Sequence, residues 1–327
     1  MDSLKAELIA QDGLSVVKRL SEEAFLWEVS PGYEDVIAAC LGSGNIVFLR
    51  DAFWVTDVLS SGLDAPAIAQ NTVELAGMCL HELTTVACQV WTAPNVARST
   101  EDVFQAVRAA LALSGTEVVR SGEDATVCVY LCSDCVVLGI RRGGAGVVDW
   151  PGGRMRFRAS KSQISRAEFK LEEVFRRLSV SSLDGPALDV GAAPGGWTRI
   201  LSLAGAHPID AVDPGDPHPL INSLDGVYWH STTIGEFIDT ARRNYYSVLV
   251  NDMRMEYLLS VDYCCQMFDL LRAGGLVVVT LKINPHDAIK KVAQAVEILG
   301  EKYKIVLVKQ LFHNRREVTV VCKKEKA

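Results

Sequence analysis

The sequence predicts an α/β protein in two parts: a C-terminal domain built on a mostly parallel sheet with one antiparallel strand, preceded by smaller α+β modules. Three observations carry this expectation. In the second half, short apolar runs alternate with helical stretches, the pattern of parallel strands buried on both faces and joined by crossover helices. In the first half the units are shorter and less regular, as in small α+β modules. Between them Gly143, Gly144, Gly146, Pro151, Gly152 and Gly153 interrupt any period, so the boundary belongs there. A length of 327 residues suits about two domains.

Taken in order, residues 24–29 read as a strand, 33–40 as a helix and 45–49 as a second strand. Residues 100–113 have helical spacing at Val103, Val107, Ala110 and Leu111, followed by strands at 126–131 and 136–140. Cys132-Ser-Asp-Cys135 between those strands reads as a hairpin turn with small apolar thiols; a four-cysteine zinc site needs a second such pair, and none is present in the sequence. Ser165-Arg-Ala-Glu168 has the form of a capping box, opening a helix whose stripe is Leu171, Val174, Phe175 and Leu178. Strands follow at 187–190, 209–212, 227–229, 247–250 and 276–281, with helices at 263–271 and 286–299. The last two strands, 304–311 and 317–322, are joined by only five residues, too few for a parallel crossover, so they run antiparallel.

Composition narrows the function classes. A chain that is 49% hydrophobic and 22% charged can fill globular cores, and no apolar run approaches the ~18 residues of a membrane span. The first fifteen residues lack the apolar centre of a secretory signal, and nine scattered cysteines do not form a disulfide framework. These features point to a cytoplasmic protein without a membrane or metal requirement and without an obligate protein partner. Residues 1–158 hold 12 Lys and Arg against 20 Asp and Glu, so the first half is no strongly basic nucleic-acid binder. Residues 141–170 differ, with eight basic residues against two acids. That strip suits either a phosphate backbone or a solvated linker. Trp150 and Phe157 within it suit either base stacking or a core.

The chemistry gathers in the second half. The strand at 187–190 leads into Asp189-Val-Gly-Ala-Ala-Pro-Gly-Gly-Trp197, where Gly191, Gly195 and Gly196 allow close backbone approach to a ligand at a helix start. Asp213 ends the next strand, placed to accept hydrogen bonds from ribose hydroxyls. These features alone fit a nicotinamide dinucleotide nearly as well as S-adenosylmethionine, but the glycine spacing fails the G-x-G-x-x-G fingerprint. Asp252 and Lys282 each follow a parallel strand and so lie at its carboxyl edge, where ligands bind. Glu317 opens the reversed strand and reaches the same edge. Lys170 lies beside the buried stripe of its helix, one turn from Arg166, a like-charge pair relieved by a nearby acid or phosphate or left as solvated charge.

Ser165-Arg-Ala-Glu-Phe-Lys-Leu, Gly191-Ala-Ala-Pro-Gly-Gly-Trp, Asn251-Asp-Met, Thr280-Leu-Lys and Arg315-Arg-Glu-Val-Thr-Val resemble, in order, the motifs of the FtsJ/RrmJ-type ribose 2'-O-methyltransferases over residues 160–322. Within that superfamily, Lys309-Gln-Leu-Phe-His-Asn-Arg-Arg-Glu-Val-Thr-Val and Glu28-Val-Ser-Pro-Gly-Tyr-Glu are similar to segments of the RlmM type. The resemblance implies a Rossmann-like class I methyltransferase domain at 159–327. It implies a ferredoxin-like module at 1–75 and a THUMP-like RNA-binding module at 76–158. The implied reaction is transfer of a methyl group from S-adenosylmethionine to a cytidine ribose of large-subunit ribosomal RNA. The family's Lys-Asp-Lys-Glu tetrad falls on Lys170, Asp252, Lys282 and Glu317. Its cofactor residues fall on the loop Gly191, Ala193, Pro194, Gly195, Gly196 and Trp197, and on Asp213 and Asp252. Thr233 stands where an acid near the adenine is expected.

Lys282 is then the expected base in an in-line displacement. An amine with a pKa of ~10.4 must be tuned toward ~7 to 8 for that role; crowding by Lys170 and partial desolvation are the expected causes, and Asp252 is expected to oppose them. Arg154, Arg156, Arg158 and Arg166 are the expected RNA contacts. The alternative is a catalytically weak RNA-binding or ribosome-assembly protein on the same fold.

Overall fold

A computed structural model describes residues 2–9, 11–42, 46–79, 85–119, 125–142, 150–283 and 287–325, and the chain forms two compact units, 1–155 and 156–327. Gly143, Gly144, Gly146, Asn45 and His286, named above, lie outside the described residues.

The first unit contains α1 (Asp2–Ile9), β1 (Leu14–Arg19), β2 (Phe25–Val29), α2 (Glu34–Gly42), β3 (Trp54–Ser60), α3 (Ala65–Cys79), β4 (Thr85–Thr92), α4 (Thr100–Leu113), β5 (Glu117–Val119), β6 (Ala125–Leu131) and β7 (Cys135–Arg142). Strands β1 and β2 pair alone, and the other five form a mixed sheet in the order β3-β7-β6-β4-β5. Ile68, Val107, Leu111, Val127, Val129 and Leu138 form the core between α3, α4 and this sheet. Helix α3 runs across the expected cut at 75/76, and β3 pairs with β7, so residues 54–60 share a sheet with β4 to β7. The second boundary falls at 155/156. Residues 46–49 are not a strand, because the Glu7 carboxylate accepts the N–H groups of Val47 and Phe48 while Ile46 and Leu49 pack on Leu8. Strands β1, β3, β4 and β5 have no counterpart among the expected strands; of these, β3 is a sheet edge exposed along nearly its whole length, so it carries no apolar alternation.

The second unit contains α5 (Glu168–Arg177), β8 (Ala187–Val190), α6 (Gly196–Leu203), β9 (Ile209–Val212), β10 (Val227–His230), α7 (Ile234–Thr240), β11 (Tyr246–Asn251), α8 (Tyr257–Gln266), β12 (Leu271–Lys282), α9 (Ala288–Gly300), β13 (Lys304–Lys309) and β14 (Glu317–Lys323). The sheet order is β10-β9-β8-β11-β12-β14-β13, parallel except for β14, which is antiparallel to both neighbours. Strand β8, with four buried residues, lies where the order reverses, and a ligand crevice opens at such a point. The expected helix at 263–271 begins earlier, at Tyr257, because the Glu256 carboxylate accepts the N–H groups of Leu258 and Leu259. The capping box at Ser165 is half formed. Glu168 reaches back to the N–H groups of Ile164 and Ser165, but the Ser165 hydroxyl caps nothing and α5 starts at Glu168.

Candidate active site

The tetrad is assembled by register. Asp252 follows β11, Lys282 ends β12, and Glu317 opens β14 directly opposite Lys282 in the antiparallel ladder. Lys170 comes from the first turn of α5, whose Leu171 and Val174 are fully buried against the sheet. Lys282 Nζ lies 2.5 Å from Asp252 Oδ1 and 2.9 Å from Glu317 Oε1. Lys170 Nζ lies 3.2 and 3.1 Å from the two Asp252 oxygens and 2.6 Å from Glu317 Oε2, the last an ion-pair contact rather than an aligned hydrogen bond. Each amine therefore touches both carboxylates. The expected crowding of Lys282 by Lys170 is offset, since two acids separate and balance the two cations.

Burial alone would raise the Asp252 carboxyl, but Lys282 and Lys170 beside it, with hydrogen bonds from Lys282 and Thr280, hold it below the ordinary carboxylate range. Thr280, fully buried on β12, donates to Asp252 Oδ1 and accepts from Lys282 Nζ at 3.0 Å. Asn251, also fully buried, accepts the Met253 N–H and donates to Ser260, fixing the turn that presents Asp252. Both lie in motifs quoted from the sequence, yet neither had a role there, because a polar residue in a buried strand announces itself only through its partners.

Beside the tetrad, the loop from Gly191 to Gly196 forms a cradle. Gly191 has φ +72°, and a Cβ there would meet Met253 Cγ at 2.7 Å; Gly195 has φ +109°, where a Cβ would strike Ile221. Only glycine fits either position. Asp213 accepts the Ala193 N–H at 3.0 Å with one oxygen and the Gly215 N–H at 2.7 Å with the other. Each oxygen keeps a further lone pair for a ligand hydroxyl. The Ser165 hydroxyl, against Gly196, is buried with no hydrogen-bond partner among the described residues. An orphaned donor, a helix start and a half-used carboxylate around a glycine loop fit the polar groups of S-adenosylmethionine.

Other expected residues are placed differently. Trp197 is core: its ring is buried and its Nε1 donates to the Ala167 carbonyl at 2.7 Å. Thr233 is a helix cap, exchanging hydrogen bonds with Glu236 at the start of α7, so its hydroxyl already has local work. Arg154 belongs to the first unit, donating to the Thr92 carbonyl and pairing with Glu23 at 2.8 Å. Arg156, Arg158 and Arg166 are exposed in the second unit. Cys132 and Cys135 close the β6–β7 hairpin, and burial pushes the Cys132 thiol up to about 12. Among the described residues no cluster of His, Cys, Asp and Glu is arranged to hold a metal ion, and no helix is long and apolar enough to cross a membrane.

Two acids absent from the expected set hold the site's frame. Glu168 joins the turn before α5 to α6 by pairing with Arg199 at 2.6 Å. Glu173, fully buried on α5, pairs with Arg177 and accepts the N–H groups of Phe312 and His313 in the turn leading to Glu317. The capping-box pattern singled out Glu168 but not its pairing with Arg199, and for Glu173 a charged residue beside the apolar stripe was the only sequence signal.

Residues 163–323 match the family model described as FtsJ-like methyltransferase. A Halorhodospira halophila protein named Ribosomal RNA large subunit methyltransferase M is 29% identical over 54% of this chain and 51% of its own length. An Alkalilimnicola ehrlichii protein of the same name is 37% identical over 35% of this chain and 32% of its own. The chain thus spans about half, or less, of the length of these curated relatives. Among solved structures, a Burkholderia thailandensis 1,6-didemethyltoxoflavin-N1-methyltransferase is similar with a TM-score of 0.40 and 14% identity over 50% of this chain and 80% of that one, too low to bear on the reaction.

Proposed function

Because residues 163–323 belong to the FtsJ-like methyltransferase family, we propose that this chain transfers a methyl group from S-adenosylmethionine to a ribose 2'-hydroxyl of RNA, with a cytidine of large-subunit ribosomal RNA as its target. The observation that carries the proposal is the meeting of Lys170, Asp252, Lys282 and Glu317 at the sheet rim beside the glycine cradle. A fold without chemistry has no use for two amines and two acids brought from four elements to one point. The relatives' printed names supply the substrate class.

When bound, S-adenosylmethionine supplies a methyl group made electrophilic by a sulfonium. The chain supplies position. Gly191 and Gly195 would let the backbone close on the cofactor, Asp213 would hold its ribose hydroxyls, and the Ser165 hydroxyl would offer a further hydrogen bond. As the proposed base, Lys282 takes the proton of the ribose hydroxyl, and alignment of that oxygen with the methyl group provides most of the acceleration. Asp252 and Thr280 fix the Lys282 rotamer, while Glu317 spans both amines so that Lys170 keeps its distance from Lys282.

The unit at 1–155 is read as a ferredoxin-like segment leading into a THUMP-like RNA-binding module, supported by the resemblance and by its α+β sheet. The eight described cysteines are all free, which suits a reducing, cytoplasmic setting. The test is methyl transfer by the purified chain alone to a large-subunit ribosomal RNA fragment and to the same fragment carrying 2'-deoxycytidine throughout. Transfer to the first only is expected. Equal transfer to both would place the methyl group elsewhere and overturn the proposal.

A further inference from the structure

Four rings that the chemistry above leaves unused lie together in the second unit. Phe157 stacks on Phe169 with centroids 6.0 Å apart and planes 18° from parallel. His313 is 5.6 Å from Phe157 and 5.1 Å from Phe169, and Phe312 is 4.9 Å from His313. All four remain partly open to solvent.

Their place in the chain is informative. Phe169 immediately precedes Lys170 on α5, and Phe312 and His313 open the turn that ends at Glu317, so the rings ride on the segments that deliver half of the tetrad. The Glu173 carboxylate clamps the second segment to the first. Exposed Arg156, Arg158, Arg166, Arg315 and Arg316 belong to the same segments. Of the neighbouring acids, Glu168 and Glu173 are buried against Arg199 and Arg177, Glu317 is engaged with the two amines, and Glu172 is half-buried. Partly exposed aromatic rings on segments that also carry exposed guanidinium groups complement an unpaired nucleobase and its phosphates.

We propose that Phe157, Phe169 and His313 form a stacking platform for an unpaired nucleobase next to the ribose that is methylated. The proposal rests on the methyltransferase reading and adds how the substrate strand is held. The platform reads bases by their faces, whereas the arginines hold the backbone whatever bases it carries.

The test uses the full chain with an unpaired oligocytidylate, an abasic ribose-phosphate polymer of equal length, and S-adenosylmethionine as a separate ligand. Phe157→Leu, which keeps apolar volume and loses the ring face, is expected to weaken oligocytidylate binding about ten-fold. Binding of the abasic polymer and of S-adenosylmethionine is expected to stay at the native level. Arg158→Ala should weaken both polymers alike. Native affinity of Phe157→Leu for oligocytidylate, or an equal loss for both polymers, overturns the platform. So does an unmodified chain that binds S-adenosylmethionine but does not distinguish the polymers. An unmodified chain that binds no S-adenosylmethionine overturns instead the reading on which the platform rests.

Discussion

Asp189 shows how a single residue beneath the site ties stability to pH. It is buried under the glycine loop and accepts the Thr198 hydroxyl at 2.6 Å. Burial is the main cause that raises its carboxyl to about 7, with the Asp252 and Asp213 charges adding to it. The unfolded value is ~3.9. The folded state therefore binds the extra proton between those values, and stability falls as pH rises from about 4 to 7. Asp189→Asn removes this slope, so the variant should gain roughly 2 to 3 kcal/mol relative to the native chain between pH 5 and pH 8. Any fixed effect of the amide appears equally at both pH values. Chemical unfolding at the two values checks this, and an unchanged difference between the proteins would contradict it. Asp252 is opposite in sign: its depressed carboxyl contributes stability above about pH 4 that is lost as pH falls through the folded value.

At the scale of elements, α5 and the turn at 311–316 act as one piece because Glu173 holds them. Removing its carboxylate in Glu173→Ala leaves the Arg177 guanidinium buried without its partner and two backbone N–H groups unsatisfied. The expected cost is about 3 to 5 kcal/mol, read as a lower midpoint in urea unfolding of the full chain. A loss under 1 kcal/mol would show that the turn is held by other means. The sequence disclosed α5 through its apolar stripe and β14 through the five-residue connection, but not the clasp between them. A contact between Glu173 and residues 312–313 spans nearly half the chain and leaves no local periodicity. The half-formed box at Ser165 is similar: the local pattern was present, but the hydroxyl lies buried beside Gly196 with no hydrogen-bond partner among the described residues.

Across the whole molecule, legibility followed the regular alternation of strand and helix more than burial: the partly exposed β10 was read, whereas the mostly buried β4 was not. Strands β8, β11 and β12 are largely buried, and their apolar runs were plain, as was the antiparallel return of β14. The exposed edge strand β3 and the buried but irregular residues 46–49 defeated the same rule from opposite sides. The tetrad was legible because sheet edges and strand direction decide where Asp252, Lys282 and Glu317 emerge. The burial of the Trp197 ring was not, since an aromatic after a glycine loop looks alike whether it faces ligand or core. The arginines divide in the same way. Arg154 is committed to Glu23 within the first unit, whereas Arg156, Arg158 and Arg166 are exposed. Replacing those three by alanine should reduce the slope of log affinity against log salt for single-stranded RNA by about 2, at ~0.7 per phosphate contact. Arg154→Ala should leave the slope unchanged and lower stability instead. Identical slopes for all the proteins would remove the arginines from the RNA interface.

The most direct measurement of the central claim is nucleoside mass spectrometry of large-subunit ribosomal RNA incubated with S-adenosylmethionine and either the native chain or Lys282→Ala. The account predicts one 2'-O-methylated nucleoside, 2'-O-methylcytidine, with the native chain. It predicts at least ~100-fold less with Lys282→Ala, while S-adenosylmethionine affinity stays within a few fold. A methyl group found on a base, or equal ribose methylation by the variant, would contradict it.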